Sequence, residues 1–159
     1  PVTFTRAANV FGEGQQLYRI IPKTILCGIL GNRVSLHGGG VSERSFIHIQ
    51  DVCDATYKVM RRGVPGETYH ISTKDKITIK DLVWKICKKM SKNPSDFVFN
   101  TEERLGKDHS YTLDSEKIRK ELGWKDNIDL DKGIERTIDW VESNLSILRK
   151  MPTNYIHKS

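Results

Sequence analysis

Five histidines, three cysteines, five tyrosines and one triple-glycine run are the features of this 159-residue chain from which chemistry could be built. None forms a self-sufficient catalytic pattern. His37, His48, His70, His109 and His157 stand singly, with no H-E-x-x-H pair to hold zinc and no G-x-S-x-G elbow to present a serine nucleophile. Each reads as a surface or hydrogen-bonded structural histidine before it reads as a base. Cys27, Cys53 and Cys87 are odd in number and too far apart for a CxxC metal pair, so they are expected as reduced, apolar-flanked core thiols. Binding a dinucleotide requires a glycine-rich turn from a strand into a helix, where the backbone can approach the pyrophosphate. The run Gly38-Gly39-Gly40 instead precedes a strand and offers no helix N-terminus. Tyr18, Tyr57, Tyr69, Tyr111 and Tyr155 are followed four positions later by Pro22, Arg61, Thr73, Ser115 and Ser159, so the Tyr-x-x-x-Lys pair of a short-chain oxidoreductase does not occur either. Binding, without catalysis by this chain alone, is what remains.

The elements that must position binding residues follow from periodicity and breakers. Val2 to Thr5 alternate as a short strand, and a loop punctuated by Gly12 and Gly14 follows. Leu17, Ile20, Ile21, Thr24, Ile25 and Gly28 share one helical face up to Gly31, with Pro22 requiring first-turn placement or a kink. Val34 to Leu36 and Phe46 to Ile49 read as strands, the second leading into Asp51 as a helix opener and an apolar stripe of Val52, Ala55, Thr56 and Val59. Gly63, Pro65 and Gly66 end that helix, and Glu67 to Ile71 form a further strand. Thr78-x-x-Asp81 resembles a capping box opening the amphipathic helix of Ile79, Leu82, Val83, Ile86, Cys87 and Met90. A strand at Phe97 to Phe99 precedes a polar loop from Thr101 to Ser110. Asp114 caps a helix over Ser115 to Leu122, Gly123 ends it, and Leu130 to Leu148 carries the last long helix. Few short strands among several helices predict an α/β chain of mixed α+β appearance.

Composition narrows the classes of function. At 37% hydrophobic and 29% charged residues the chain has the makeup of a globular protein, and its longest apolar stretches fall well short of a membrane span. Neither a membrane partner nor a signal segment is expected, and Pro1 reads as a cut end. The net charge of +6 admits nucleic acid or a phosphorylated small molecule as partner. Lysine and arginine alternate with acids along 115–122 and 131–142, the pattern of solvated helix faces, which argues against nucleic acid. A small basic module binding nucleic acid or protein is the reading from another class.

Three segments carry a more specific signal. Arg6-Ala7-Ala8-Asn9-Val10-Phe11-Gly12 is similar to R-x-x-N-x-Y-G, Arg44-Ser45-Phe46-Ile47-His48-Ile49-Gln50-Asp51-Val52 to R-x-F-x-H-V-x-D-V/A, and Gly66-Glu67-Thr68-Tyr69-His70-Ile71 to G-E-x-Y-N-I. In this order and spacing they resemble the extended short-chain dehydrogenase/reductase family, whose NAD-dependent members act on sugar nucleotides. Glu103 to Tyr111, with Asp114 to Ile118 and Glu121 to Trp124, places the chain nearest that family's dTDP-glucose 4,6-dehydratases.

The resemblance implies the C-terminal, substrate-binding portion of an extended Rossmann-type dehydrogenase over residues 1–150, with a loose tail at 151–159. The dinucleotide-binding domain, with the Tyr and Lys of hydride transfer, would lie outside this chain. Arg44 and Arg104 would be ligands of the pyrophosphate, which needs the paired donors that guanidinium groups supply. Asn9 would hold the sugar nucleotide near the cofactor, and Val10 would touch the nicotinamide end of NAD. Ser35, Leu36 and His37 would lie along the nucleobase, with Arg19, Ile20, Thr78 and Lys107 as further substrate contacts. Lys107, Leu105 and Ser45 stand where the dehydratases carry His, Pro and Asp, so CDP-, UDP- and GDP-linked substrates stay open, as do 4-epimerase and decarboxylase chemistry. The resemblance further implies a cytoplasmic, homodimeric parent. Alone, the chain is expected to be inactive, to hold a nucleoside diphosphate weakly at best, and to self-associate through surface left bare.

Overall fold

The computed structural model describes residues 1–102 and 108–155. In chain order these form β1 (Phe4–Ala7), β2 (Asn9–Phe11), α1 (Ile20–Leu30), β3 (Val34–His37), β4 (Glu43–Arg44), β5 (Phe46–His48), α2 (Ile49–Arg62), β6 (Thr68–Ile71), β7 (Ile77–Thr78), α3 (Ile79–Lys89), β8 (Val98–Thr101), β9 (Ser110–Tyr111), α4 (Glu116–Leu122), α5 (Leu130–Ser143) and α6 (Leu145–Leu148). The α/β class expected from the sequence is what the chain adopts. It divides into two compact units, each assembled from separated stretches of sequence: unit one holds 1–12, 43–77 and 108–133, and unit two holds 13–42, 78–107 and 134–159.

In unit one, β1 pairs in parallel with β6 (Phe4 opposite Thr68), β2 with β5 (Asn9 opposite Phe46) and β4 with β9 (Glu43 opposite Ser110). Parallel pairing demands helical crossovers, and α2 supplies the one that leads from β5 towards β6. Its inner face joins Ile47, Ala55, Val59, Tyr69, Ile71, Ile118, Leu122 and Trp124 in one buried cluster. Asp51 does not open α2 as expected. His48 is the N-cap, its Nδ1 accepting the Gln50 N–H at 3.2 Å, while the Asp51 carboxylate is buried in the first turn. There it accepts the backbone N–H groups of Asn127 and Ile128, each at 3.0 Å, and the Asp51 carbonyl accepts Trp124 Nε1–H at 3.2 Å. One residue thereby fastens the segment after α4 to the start of α2. Arg119 ties the same region from the other side, donating to the Ser72 carbonyl at 3.0 Å and to Asp126 at 2.6 Å.

In unit two, β3 pairs in parallel with β8, and α1 and α3 close over Cys27, Val34, Leu36, Val83, Cys87 and Phe97. Pro22 falls in the first turn of α1, where no intrahelical donor is required of it, so the helix needs no kink. Thr78 caps α3 as anticipated, its Oγ1 accepting the Asp81 N–H at 3.0 Å. The last helix is interrupted at Asn144, whose side chain reaches back to the Trp140 carbonyl at 2.8 Å, giving α5 and α6 instead of one rod.

Other sequence expectations shift for identifiable reasons. The first strand lies at 4–7 instead of 2–5, the strand expected at 97–99 runs from Val98 to Thr101, and β2 occupies part of the expected loop. Parallel partners far along the chain decide these boundaries. Three elements, β4, β7 and β9, were not anticipated because two-residue strands have no periodicity. Thr56 is exposed and does not belong to the inner stripe of α2. Cys53, expected in the core, is exposed as well, on the opposite face from Ala55 and Val59. Burial pushes the thiols of Cys27 and Cys87 above their usual pKa, which keeps them protonated. Ellman's reagent should accordingly titrate one thiol per native chain and three after unfolding; more than one fast-reacting thiol would contradict these burials.

Candidate functional site

Unit one brings Asn9, Val10 and Arg44 onto neighbouring strands. Asn9 begins β2, opposite Phe46, and its amide Nδ2 donates to the Ser45 carbonyl at 3.1 Å, as does its backbone N–H at 3.2 Å. The amide is thereby pinned by its nitrogen, with Oδ1 free of partners among the described residues. Val10 is half-buried and packs against the cluster around Ile47. Arg44 ends β4, next to Ser45. Its Nη1 donates to the carbonyls of Glu43 at 2.6 Å and His109 at 3.3 Å, and its Nη2 donates to that of Asp108 at 2.7 Å. No carboxylate neutralises this guanidinium in those contacts, so its charge is available to an anion.

The packing beneath these strands leaves no room for larger residues at two glycines. A Cβ on Gly133 would lie 2.6 Å from Phe11 Cζ, and one on Gly12 would lie 2.8 Å from Ile49 Cγ2. Gly12 also has φ +141°, closed to most other residues. The Phe11 ring meets His48 edge to face at 5.5 Å between centroids, and this seals the end of β2 against the start of α2. Beside Ser45 lies an open hollow of about 280 Å³, lined among others by Thr73, Lys74, Lys76, Asp114 and Glu116. Its Lys74 pairs with Glu116 at 2.9 Å, and Asp114 and Glu116 add negative charge to the lining, so it is a poorer anion site than Arg44.

Unit two carries the remaining described candidates. Arg19 is the exposed N-cap residue of α1, its guanidinium 5.3 Å from the Tyr18 ring centroid. Ile20 packs against the cluster that includes Val34 and Leu36. Ser35 and His37 are half-buried on β3 and Leu36 is buried between them, so Leu36 could meet a ligand only through its backbone. His37 Nδ1 lies 2.9 Å from Thr101 Oγ1 on the paired strand, which orients the ring. The turn after β3 meets the first turn of α3 closely: a Cβ on Gly40 would lie 2.9 Å from the Lys80 nitrogen, and Ile79 N–H donates to the Ser42 carbonyl at 3.0 Å. Thr78 therefore sits beside the turn that leaves β3, with its hydroxyl bonded to Asp81 Oδ2 at 2.6 Å. Arg104 and Lys107 lie outside the described residues.

Sequence reasoning missed the carbonyls of Ser45, Asp108 and His109, which hold Asn9 and Arg44, because backbone groups leave no trace in residue type. It also treated Asp51 as a cap, although that residue stood inside a quoted motif. Among the described residues no group of three or more His, Cys, Asp or Glu could hold a metal ion, and no helix is long and apolar enough to cross a membrane.

The family model described as GDP-mannose 4,6 dehydratase matches residues 2–137. A trifunctional UDP-glucose 4,6-dehydratase/UDP-4-keto-6-deoxy-D-glucose 3,5-epimerase/UDP-4-keto-L-rhamnose-reductase of Arabidopsis thaliana is 35% identical over 144 residues, covering 91% of this chain and 21% of that protein. The dTDP-D-glucose 4,6-dehydratase of Mus musculus is 33% identical over 149 residues, covering 91% of this chain and 42% of that one. The crystal structure of dTDP-glucose 4,6-dehydratase from Bacillus anthracis in complex with NAD superposes with a TM-score of 0.88 at 28% identity, over 94% of this chain and 47% of that one. The chain belongs to this family of nucleotide-sugar 4,6-dehydratases within the extended short-chain dehydrogenase/reductases. It spans less than half the length of each of these three relatives.

Proposed function

We propose that this chain is the nucleotide-sugar-binding part of an NAD-dependent sugar-nucleotide 4,6-dehydratase, with dTDP-glucose or UDP-glucose as substrate. The observation that carries the reading is the pairing of Asn9 and Arg44 through Ser45, a fixed amide beside a guanidinium with charge to offer, inside a chain whose family match covers both residues. The names of the relatives support the substrate class, since they act on dTDP- or UDP-linked glucose.

In this reading Arg44 and Arg104 hold the pyrophosphate and Asn9 orients the sugar nucleotide. Ser35, Leu36 and His37 follow the nucleobase, while Arg19, Ile20, Thr78 and Lys107 complete the substrate contacts. Val10 is the residue of this chain that fits the nicotinamide, as a half-buried apolar contact; no G-x-G-x-x-G occurs in the sequence to hold the rest of a dinucleotide. When bound, NAD supplies reversible hydride acceptance from sugar C4. That chemistry would let a sugar oxidised at C4 lose water across C5 and C6. The task of the residues present is to hold the sugar still against that chemistry, which lowers the barrier by prior ordering.

Residues 1–150 would thus form the substrate-binding portion and 151–159 a tail. With no Tyr-x-x-x-Lys pair, the isolated chain should yield no 4-keto sugar from dTDP-glucose and NAD. Calorimetric titration with dTDP should give a dissociation constant of about a millimolar or weaker, because a ligand left solvated on one side realises little binding energy. Submicromolar affinity, or turnover, would show that the chain carries a complete site.

A further inference from the structure

Arg44 has five guanidinium N–H groups in a rigid planar fork. Three are spent on backbone: Nη1 donates to the Glu43 and His109 carbonyls and Nη2 to the Asp108 carbonyl. The His109 carbonyl also accepts the Glu43 N–H at 2.9 Å, so the arginine reinforces the point where β4 meets the segment entering β9. The Nε–H has no partner among the described residues. Together with the adjacent Nη2–H it makes the side-on edge of the guanidinium, two parallel donors whose spacing suits two oxygens of one phosphate.

We propose that Arg44 is a two-sided connector: one side of its guanidinium grips the backbone at 108–109, and its Nε edge takes a diphosphate. This rests on the reading of Arg44 as a pyrophosphate ligand and adds a consequence to it. Because the carbonyls immobilise the side chain during folding, little rotamer entropy is left to lose when the anion arrives. Gripping both partners at once also makes their contacts mutually reinforcing, so diphosphate occupancy strengthens the β4–β9 junction, and the junction strengthens diphosphate binding by the same factor. A lysine keeps the charge but concentrates its donors on one small ammonium, and it cannot serve both sides in this geometry.

The test is nuclear magnetic resonance on the full 159-residue chain with dTDP as probe, followed through the Arg44 Nε–H signal and hydrogen exchange at the Glu43 amide. At about 10 mM dTDP the wild-type Nε–H signal should shift and Glu43 exchange should slow by about fivefold. In R44K, exchange at Glu43 should be faster without ligand and should not slow with it, while α3 amides keep their protection. An Nε–H shift with unchanged or faster Glu43 exchange overturns the connector and leaves Arg44 as a simple ligand. Absence of the shift overturns the pyrophosphate role and the connector with it. Equal slowing in R44K shows that the coupling runs elsewhere. The two wild-type readouts decide the matter even if R44K does not fold.

Discussion

Asp51→Ala is expected to destabilise unit one by about 4 kcal/mol, because it deletes an ionised acceptor of two buried-side hydrogen bonds and orphans the N–H groups of Asn127 and Ile128. Bonds to a charged group contribute about 1.5–3 kcal/mol each, well above neutral ones. The effect should be local before it is global. Exchange at the Asn127 and Ile128 amides should rise most, and the urea midpoint followed at unit-one amides should fall with an unchanged slope. Asp51→Asn retains one acceptor oxygen and should lose about half as much. A loss below about 1 kcal/mol for Asp51→Ala would mean that water takes over both amides and that the carboxylate does not fasten the segment.

Trp124→Ala should cost a similar amount, about 3–5 kcal/mol. The indole is 2% exposed and packs with Ile118, Leu122 and Tyr69, and Arg119 lies 4.9 Å over its ring. Truncation opens a cavity that the rigid ends of α2 and α4 can close only partly. The indole N–H also donates to the Asp51 backbone carbonyl, which Asp51→Ala leaves in place, so the two sites fasten the same 124–128 segment to the start of α2. The double variant should therefore lose less than the sum of the single losses, and additivity within about 0.5 kcal/mol would show that they act separately. Both changes bear on function through α2 and β5, which follow Arg44 and Ser45 directly in the chain. Weaker dTDP binding in either variant should track the loss of unit-one structure, with no separate effect on the nucleotide.

What residue order settled unaided was local and chemical. The caps and breakers at Thr78, Gly31 and Gly123, the inner stripe of α3 and the α/β class all follow from side-chain type and spacing, and the structure places them accordingly. The family, too, was legible, because three motif segments keep their residue types whatever surrounds them.

Tertiary structure alone decided which strands pair, since each parallel ladder joins segments tens of residues apart and the pairing energy lives in backbone groups that every residue type shares. It also decided that Cys53 faces outward, that His48 and not Asp51 caps α2, and that the chain forms two units from interleaved stretches. Arg44 shows the division most clearly. Its type and its place in a motif marked it as an anion ligand from the sequence, but only the fold brings the carbonyls of Asp108 and His109 to the other side of its guanidinium.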